Sequence, residues 1–400
     1  MREPFVIGME QSPFAFDVSA ALRRERMLAQ STDLLTDEAG IIVGFRGEED
    51  VETLLGDPRF GAVAMTTLQL SGVESGPLHD MWSLLMFGKD GEDHKRLRSV
   101  VARQFTPKAI EPYRDDIEGF ASTLADGMSS GSEVDVWSSF ALPLAARSAC
   151  RVVGIPVEDA DRVAVWALDL VNAFFFMSPE RRVRAERAAV EFAAYLDQLL
   201  ASKRLAPGDD VTSSLVADDA KHDLSYEETR ALVANLVFGG LEATAKVITT
   251  GVFHLVNEQQ WGTITDRPEL VRDAVTELLR FAPPTSVARF AREDLVCRDV
   301  QLHAGQMAIL DLEGACRDPR RYAQPDTLDL TRAGARQLAF GAGVHFCLGA
   351  NLARVVLETA FTTLAARFPN LELAVAPEGV VWDYETFAGV VSLPVRAATS

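Results

Sequence analysis

The chain has 400 residues, 48% of them hydrophobic, so it can bury a large core. Its 39 basic against 58 acidic residues give a formal net charge of −19, which argues against nucleic acid or an anionic membrane as a general partner while leaving room for a local basic face. Four cysteines, at 150, 297, 316 and 347, are too few for a disulfide scaffold and too widely spaced for a zinc motif, so the first three read as reduced packing residues. The first residues, Met1-Arg2-Glu3-Pro4-Phe5, lack the apolar run of a signal peptide, and no uninterrupted apolar stretch reaches membrane-spanning length. The expectation is a soluble cytoplasmic protein. Ser129-Ser130-Gly131-Ser132 and Ala206-Pro207-Gly208-Asp209-Asp210 are short loops rather than linkers, and no repeat divides the chain, so residues 1–400 read as one large domain.

In chain order, residues 61–87 are largely apolar but broken by glycines and a proline. Asp90 to Val101 reads as a loop opening a helix, on which His94 and Arg98, four apart, share a face and can converge on one anion. A solvated charged face is the plainer reading of the same spacing. From Pro112 to Leu205 the pattern is amphipathic helix with breaks at Gly127 to Ser132 and at Gly154-Ile155-Pro156. Phe174-Phe175-Phe176 before Pro179 suits a helix end and loop, with core packing the alternative for each ring.

Ser225 with Glu228 three residues later is a capping-box signal. It opens a long apolar helix over about 226–257. Gly239 and Gly240 lie inside that helix, where each costs about 1 kcal/mol relative to Ala, so they need a reason. Glu277 and Arg280 are spaced to pair along a further helix starting near Glu269. After Pro284 the pattern turns strand-like from Thr285 to Asp294, and Ala350 to Phe368 reads as a helix. Just before it, Gly341, Gly343 and Gly349 allow a φ-positive backbone that approaches a flat ligand closely. Cys347 sits before the helix N-terminus, where dipoles and free N–H groups lower a thiol pKa. Taken alone, such a cysteine reads as a buried packing residue.

The segment Phe340-Gly341-Ala342-Gly343-Val344-His345-Phe346-Cys347-Leu348-Gly349 resembles, at every fixed position, the haem-binding loop of the cytochrome P450 family. The resemblance runs from about residue 90 to the C-terminus, with three separated motifs in order. It implies a mainly α fold with small β-sheets, and haem b held by the Cys347 thiolate as axial iron ligand in the 340–349 loop, where Phe340 and Gly349 belong to the cofactor site. It implies that His94, Arg98, Arg289 and His345 bind the haem propionates, that Glu277 and Arg280 form a buried structural pair, and that the central helix crosses the haem's open face at Gly239-Gly240. Glu242 matches the acid of the family's acid-alcohol pair. Ala243 stands where a threonine is usual, and Thr244 follows one residue later, about 100° round the helix, so it takes the missing role only if the helix is distorted or water or a substrate hydroxyl serves instead.

Phe174, Phe176, Phe238, Val287 and Phe387 are the expected substrate-pocket residues. The implied activity is dioxygen-dependent oxidation of a small apolar substrate, plausible in natural-product tailoring, with electrons from NAD(P)H through a separate ferredoxin and ferredoxin reductase. No nucleic acid or membrane partner is expected, and a monomer is. Ala243 keeps oxidative coupling, cyclisation or peroxide-driven chemistry open as an alternative, and a non-catalytic haem-binding protein is the reading from another class. Arg103, Lys108 and Arg354 are candidates for a basic face around the thiolate.

Overall fold

The structure, a computed structural model, describes residues 5–7, 34–37, 42–128, 132–175, 177–217, 223–297, 300–332 and 337–397. Helices dominate it. In chain order the longer ones are Gly91–Val101, Arg114–Asp126, Leu142–Val153, Ala160–Val171, Pro179–Leu205, Tyr226–Asn257, Val271–Phe281 and Ala350–Arg367. Tyr226–Asn257 is the axle of the molecule, and it packs against the helices Leu142–Val153, Ala160–Val171 and Ala350–Arg367. Its start is fixed by the capping box: the Ser225 hydroxyl accepts from Glu228 N at 3.1 Å and Ser225 N donates to the Glu228 carboxylate at 2.9 Å. By length and overall composition it would pass for a membrane span, although Glu242 and Lys246 interrupt its apolar run, and 72% of its most apolar window is buried inside the protein. Its apolar surface is core: Val233, Val237, Phe238, Leu241, Ile248 and Val252 are each at most 1% exposed, and burying such side chains contributes about 1.5–3 kcal/mol apiece.

The strands are β1 (Phe5–Ile7), β2 (Leu34–Asp37), β3 (Ile42–Phe45), β4 (Phe60–Ala62), β5 (Glu133–Asp135), β6 (Val287–Ala291), β7 (Leu295–Cys297), β8 (Val300–Leu302), β9 (Met307–Leu310), β10 (Leu371–Leu373), β11 (Val381–Asp383), β12 (Gly389–Ser392) and β13 (Pro394–Ala397). They form a six-stranded sheet in the order β1-β2-β3-β9-β6-β4, a three-stranded sheet β10-β13-β5, and two pairs, β7-β8 and β11-β12. The sheet's β6 is shorter than the strand-like stretch the sequence shows, because the chain turns away after Ala291. Its Arg289 pairs in register with Ala308 of β9.

The predicted Glu277–Arg280 pair is buried and bidentate: Arg280 Nε and Nη2 donate to the two Glu277 oxygens at 2.7 and 2.8 Å. Arg280 Nη1 also donates to the Cys316 and Pro325 carbonyls, both at 2.9 Å, and Arg332 Nε reaches Glu277 at 3.1 Å. The pair thus ties the helix Val271–Phe281 to the 316–332 loop, with its remaining lone pairs and protons satisfied, as a buried ion pair requires. Cys316 Sγ accepts from Leu338 N at 3.3 Å, so the loop leading towards Phe340 hangs from the same network.

Candidate active site

A cavity of about 330 Å³ opens between the central helix, the helix Gly91–Val101, the β6 approach and the loop 339–349. Its walls bring together residues more than 250 positions apart in sequence: His94, Arg98, Arg289, Phe340, His345, Cys347 and Gly349 with Gly239, Gly240, Ala243 and Thr244. The loop's shape follows from its glycines. Gly341 and Gly343 have φ of 69° and 70°, and a Cβ on Gly343 would lie 2.9 Å from the Leu55 carbonyl. Gly349 is different: its φ is −81°, open to any residue, and a Cβ there would meet no atom within 4 Å, so its bareness leaves space in the cavity instead of serving the turn.

Cys347 N donates to the Phe340 carbonyl at 2.9 Å, which fixes the bend that aims the thiol. The Cys347 side chain is itself exposed, and it borders the cavity, although many protein atoms surround it. Burial pushes the Cys347 thiol up, outweighing the lowering by the Gly349 N–H and the Arg98 and Arg354 guanidiniums. The lowering expected at the helix terminus is present as the Gly349 N–H, and desolvation of the thiol opposes it.

His94 and Arg98 share a helix face, as their spacing predicts, and both reach the cavity. His94 is 2% exposed, and burial, reinforced by the neighbouring His345 and Arg98, pushes its imidazole down to about 4. Arg98 donates to the Phe346 carbonyl at 2.7 Å and Arg289 to the adjacent Ala288 carbonyl at 2.9 Å. Neither guanidinium has an ion-pair partner among the described residues, and burial lowers the pKa of both. His345 is placed differently from its neighbours. Its ring packs on His94 with centroids 4.1 Å apart, and its Nε2 lies 3.1 Å from Asp90. Asp90 also accepts from Ala62 N at 2.8 Å and Arg292 at 2.6 Å. Burial works against it, but these bonds bring its carboxyl down to about 2. Asp90 went unnoticed in the sequence, where a carboxylate at a helix start looks like an ordinary cap.

The central helix runs unbroken through Gly239–Thr244, with no bulge. Ala243 and Thr244 nonetheless both border the cavity, because the cavity wraps the helix from Leu236 to Val247 across more than one face. Thr244 thus borders the cavity from an undistorted helix. The Thr244 hydroxyl makes no hydrogen bond among the described residues. Glu242 does not line the cavity. It is 4% exposed, its Oε1 pairs with Lys246 Nζ at 2.6 Å and accepts from the Thr386 hydroxyl at 2.6 Å, and its Oε2 is buried without a partner. Burial pushes this carboxyl up, against the Lys246 charge.

Of the expected pocket residues, Phe174, Val287 and Phe387 line the cavity. Phe238 does not; it stands behind the wall, stacked on Trp82 with centroids 5.5 Å apart. Phe176 lies outside the described residues. Phe87 was missed, although it lines the cavity and stacks on Phe174 at 4.2 Å. Asn235 was missed too: it borders the cavity one turn before Gly239, and its Oδ1 accepts from Phe87 N at 3.4 Å. An amide in an otherwise apolar helix was the available signal.

These features test the fit of a prosthetic group. One soft sulfur donor, a bare glycine floor, apolar walls and two cations without carboxylate partners suit a flat apolar macrocycle that carries a metal and two carboxylates. The site is that of a thiolate-ligated haem protein. Residues 160–398 match the family model for Cytochrome P450. PksS, a polyketide biosynthesis cytochrome P450 of Bacillus subtilis (strain 168), is 37% identical over 315 residues, covering 78% of this chain and 77% of its own. Nocardicin C N-oxygenase of Nocardia uniformis subsp. tsuyamanensis is 36% identical over 356 residues, 87% of each. The crystal structure of CalO2 matches with a TM-score of 0.90 at 29% identity, over 97% of this chain and 98% of that one. The chain belongs to the cytochrome P450 family, and it is a haem-dependent monooxygenase.

Proposed function

We propose that this chain binds one haem b in the cavity through Cys347 and oxidises a neutral, apolar natural-product intermediate, acting as a cytoplasmic monomer fed with NAD(P)H electrons by a ferredoxin and its reductase. The single observation that carries the reading is that Cys347, the cations Arg98 and Arg289, and the Gly239–Thr244 turn share one cavity with an apolar aromatic wall. Relatives named for polyketide biosynthesis and for N-oxygenation of nocardicin C support a tailoring role. Bound haem supplies reductive activation of dioxygen, and a thiolate donor favours cleavage of the O–O bond. The protein's residues do the rest. Arg98, Arg289 and His94 hold the two carboxylates, with His345 oriented by Asp90 beside them.

Thr244 presents a hydroxyl free to pass a proton into the cavity, whereas Glu242, two residues earlier and about 200° round the helix, faces Lys246 and the hairpin, so a proton from its unpartnered oxygen would need a water chain to reach the cavity. Phe87, Phe174, Phe387 and Val287 bind and orient the substrate and exclude water. No Asp or Glu lines the cavity among the described residues, so a cationic substrate finds no counter-charge there. Asn235 offers one directional hydrogen bond.

The test is an absorbance titration of the ferric haem protein against neutral macrolides, terpenoids and fused aromatics, followed by product analysis with surrogate redox partners. A saturable spin-state shift with one class, and reduced-cofactor consumption stimulated by it, is the expected outcome. No shift with any class and no ligand-stimulated turnover, despite an intact thiolate-type carbon monoxide band, would overturn the enzymatic reading in favour of passive haem binding.

A further inference from the structure

Lys246 is the least expected residue of the central helix: a cation with a side chain 0% exposed, in a run of apolar positions. Its Nζ lies 2.6 Å from Glu242 Oε1, 2.6 Å from Asp383 Oδ2, 2.9 Å from the Thr386 hydroxyl and 2.6 Å from the Phe387 carbonyl. Three of those four partners belong to the β11–β12 hairpin, Asp383 as the last residue of β11 and Thr386 and Phe387 in its tip. The remaining contacts join the same two elements. Thr386 donates to Glu242, and Val390 N donates to the Thr250 hydroxyl at 3.0 Å. Gly389 presses on the lysine stem so closely that a Cβ there would lie 2.8 Å from Lys246 Cβ and 2.9 Å from Thr250 Oγ1. A buried ammonium with several anionic and carbonyl partners is costly to disrupt from one side, because the remaining groups are left unpaired in a dry site.

The tip carries Phe387, whose backbone carbonyl is held by Lys246 and whose ring lines the cavity beside Phe174 and Phe175, at centroid distances of 6.3 and 5.8 Å. We propose that Lys246 is a positioning residue for substrate selection: from the back of the central helix it clamps the hairpin tip Asp383–Phe387 and so sets where Phe387 stands in the pocket wall. The inference rests on the cavity being the substrate site. Lys246 touches neither substrate nor cofactor in this arrangement, since it does not line the cavity.

The experiment compares the ferric haem protein with Lys246→Met, Phe387→Ala and the double variant. Binding of imidazole and of 4-phenylimidazole is read by absorbance, and amide hydrogen exchange is followed across 383–390. Neither measurement depends on proton delivery during turnover. Imidazole, too small to reach the wall, binds all four proteins equally. 4-Phenylimidazole weakens about tenfold in each single variant and no further in the double, the non-additivity expected of residues acting through one another. Exchange at 384–389 accelerates in Lys246→Met. Unchanged exchange, unchanged 4-phenylimidazole affinity, or additive losses would overturn the proposal. If Lys246→Met does not fold, Thr386→Val removes one clamp contact while leaving the charges paired, and unchanged exchange at the tip in that variant has the same consequence. Loss of the thiolate-type carbon monoxide band in the unaltered protein would indict the haem reading instead, and tip exchange reads the clamp independently of it.

Discussion

Thr244 carries the one hydroxyl of the Gly239–Thr244 turn, and its place on the cavity wall decides how the missing threonine at position 243 is to be understood. Adjacent helical residues diverge by about 100°, so only one of the pair could serve a narrow site, yet this cavity is wide enough to touch both Ala243 and Thr244. On the proposed reading the free Thr244 hydroxyl handles the proton, and a second one at 243 would be redundant. Thr244→Val keeps the shape and removes the donor. The fraction of cofactor electrons recovered in product is expected to fall about a hundredfold, the lower end of what a positioned acid or base contributes, with released hydrogen peroxide making up the difference. Ala243→Thr is expected to leave that fraction unchanged; a large rise would show that the hydroxyl at 244 does not reach the oxygen site. Product, peroxide and cofactor consumption measured together decide it.

The central helix shows how one element meets two demands with the same residue type. A Cβ on Gly240 would meet no atom within 4 Å, whereas one on Gly251 would lie 2.5 Å from the Phe361 ring and 3.1 Å from Leu278. The first glycine borders empty cavity, and the second lets the helix Ala350–Arg367 pack against it. Gly240→Ala is expected to stabilise the protein by about 0.4–1 kcal/mol, from the lower chain entropy of the unfolded state, and to lower turnover by crowding the cavity. Gly251→Ala is expected to cost about 1–3 kcal/mol through overpacking. Urea unfolding of the two variants separates them by sign. The sequence shows both glycines alike, because which neighbour a helix face meets is a tertiary fact. What it does show are relations within one turn: Ser225 bonds Glu228 and Glu277 pairs with Arg280 as their spacing says, and His94 and Arg98 reach the same cavity from one helix face. Phe238 behind the wall, Asp90 on His345 and Lys246 under the hairpin depend on partners far along the chain, and periodicity carries no trace of them. The loop 340–349 was legible for another reason, since its glycines and cysteine form a fixed local string.

At the scale of the whole molecule, a formal charge of −19 would repel an acidic electron donor from most of the surface. Many of the surface arginines are also spoken for: Arg96 is paired with Glu228, Arg182 with Glu186, Arg184 with Asp169 and Arg151 with Asp116. Arg354, a candidate for the basic face, lies partly buried with its guanidinium 4.7 Å from the Phe340 ring centroid, so it supports the haem loop from beneath. Arg103 and Lys108 remain. Both are exposed and without an ion-pair partner among the described residues. Between them Phe105 accepts from Asn351 Nδ2 at 2.8 Å, which places their segment against the helix that follows Cys347. On the proposed reading, a donor docked there would be drawn by these two cations against the repulsion of the chain's net charge. Lys108→Glu is expected to slow the second-order reduction of the haem protein by an acidic ferredoxin about tenfold at low ionic strength, as rim charges act mainly on association. The difference should shrink towards nothing near 0.5 M salt, about where the Debye length falls to roughly 4 Å. Stopped-flow reduction across a salt series measures both. A rate unchanged at low salt would move the docking face away from the thiolate side, whereas a loss that persists at high salt would mean the substitution acts on the fold rather than on the encounter.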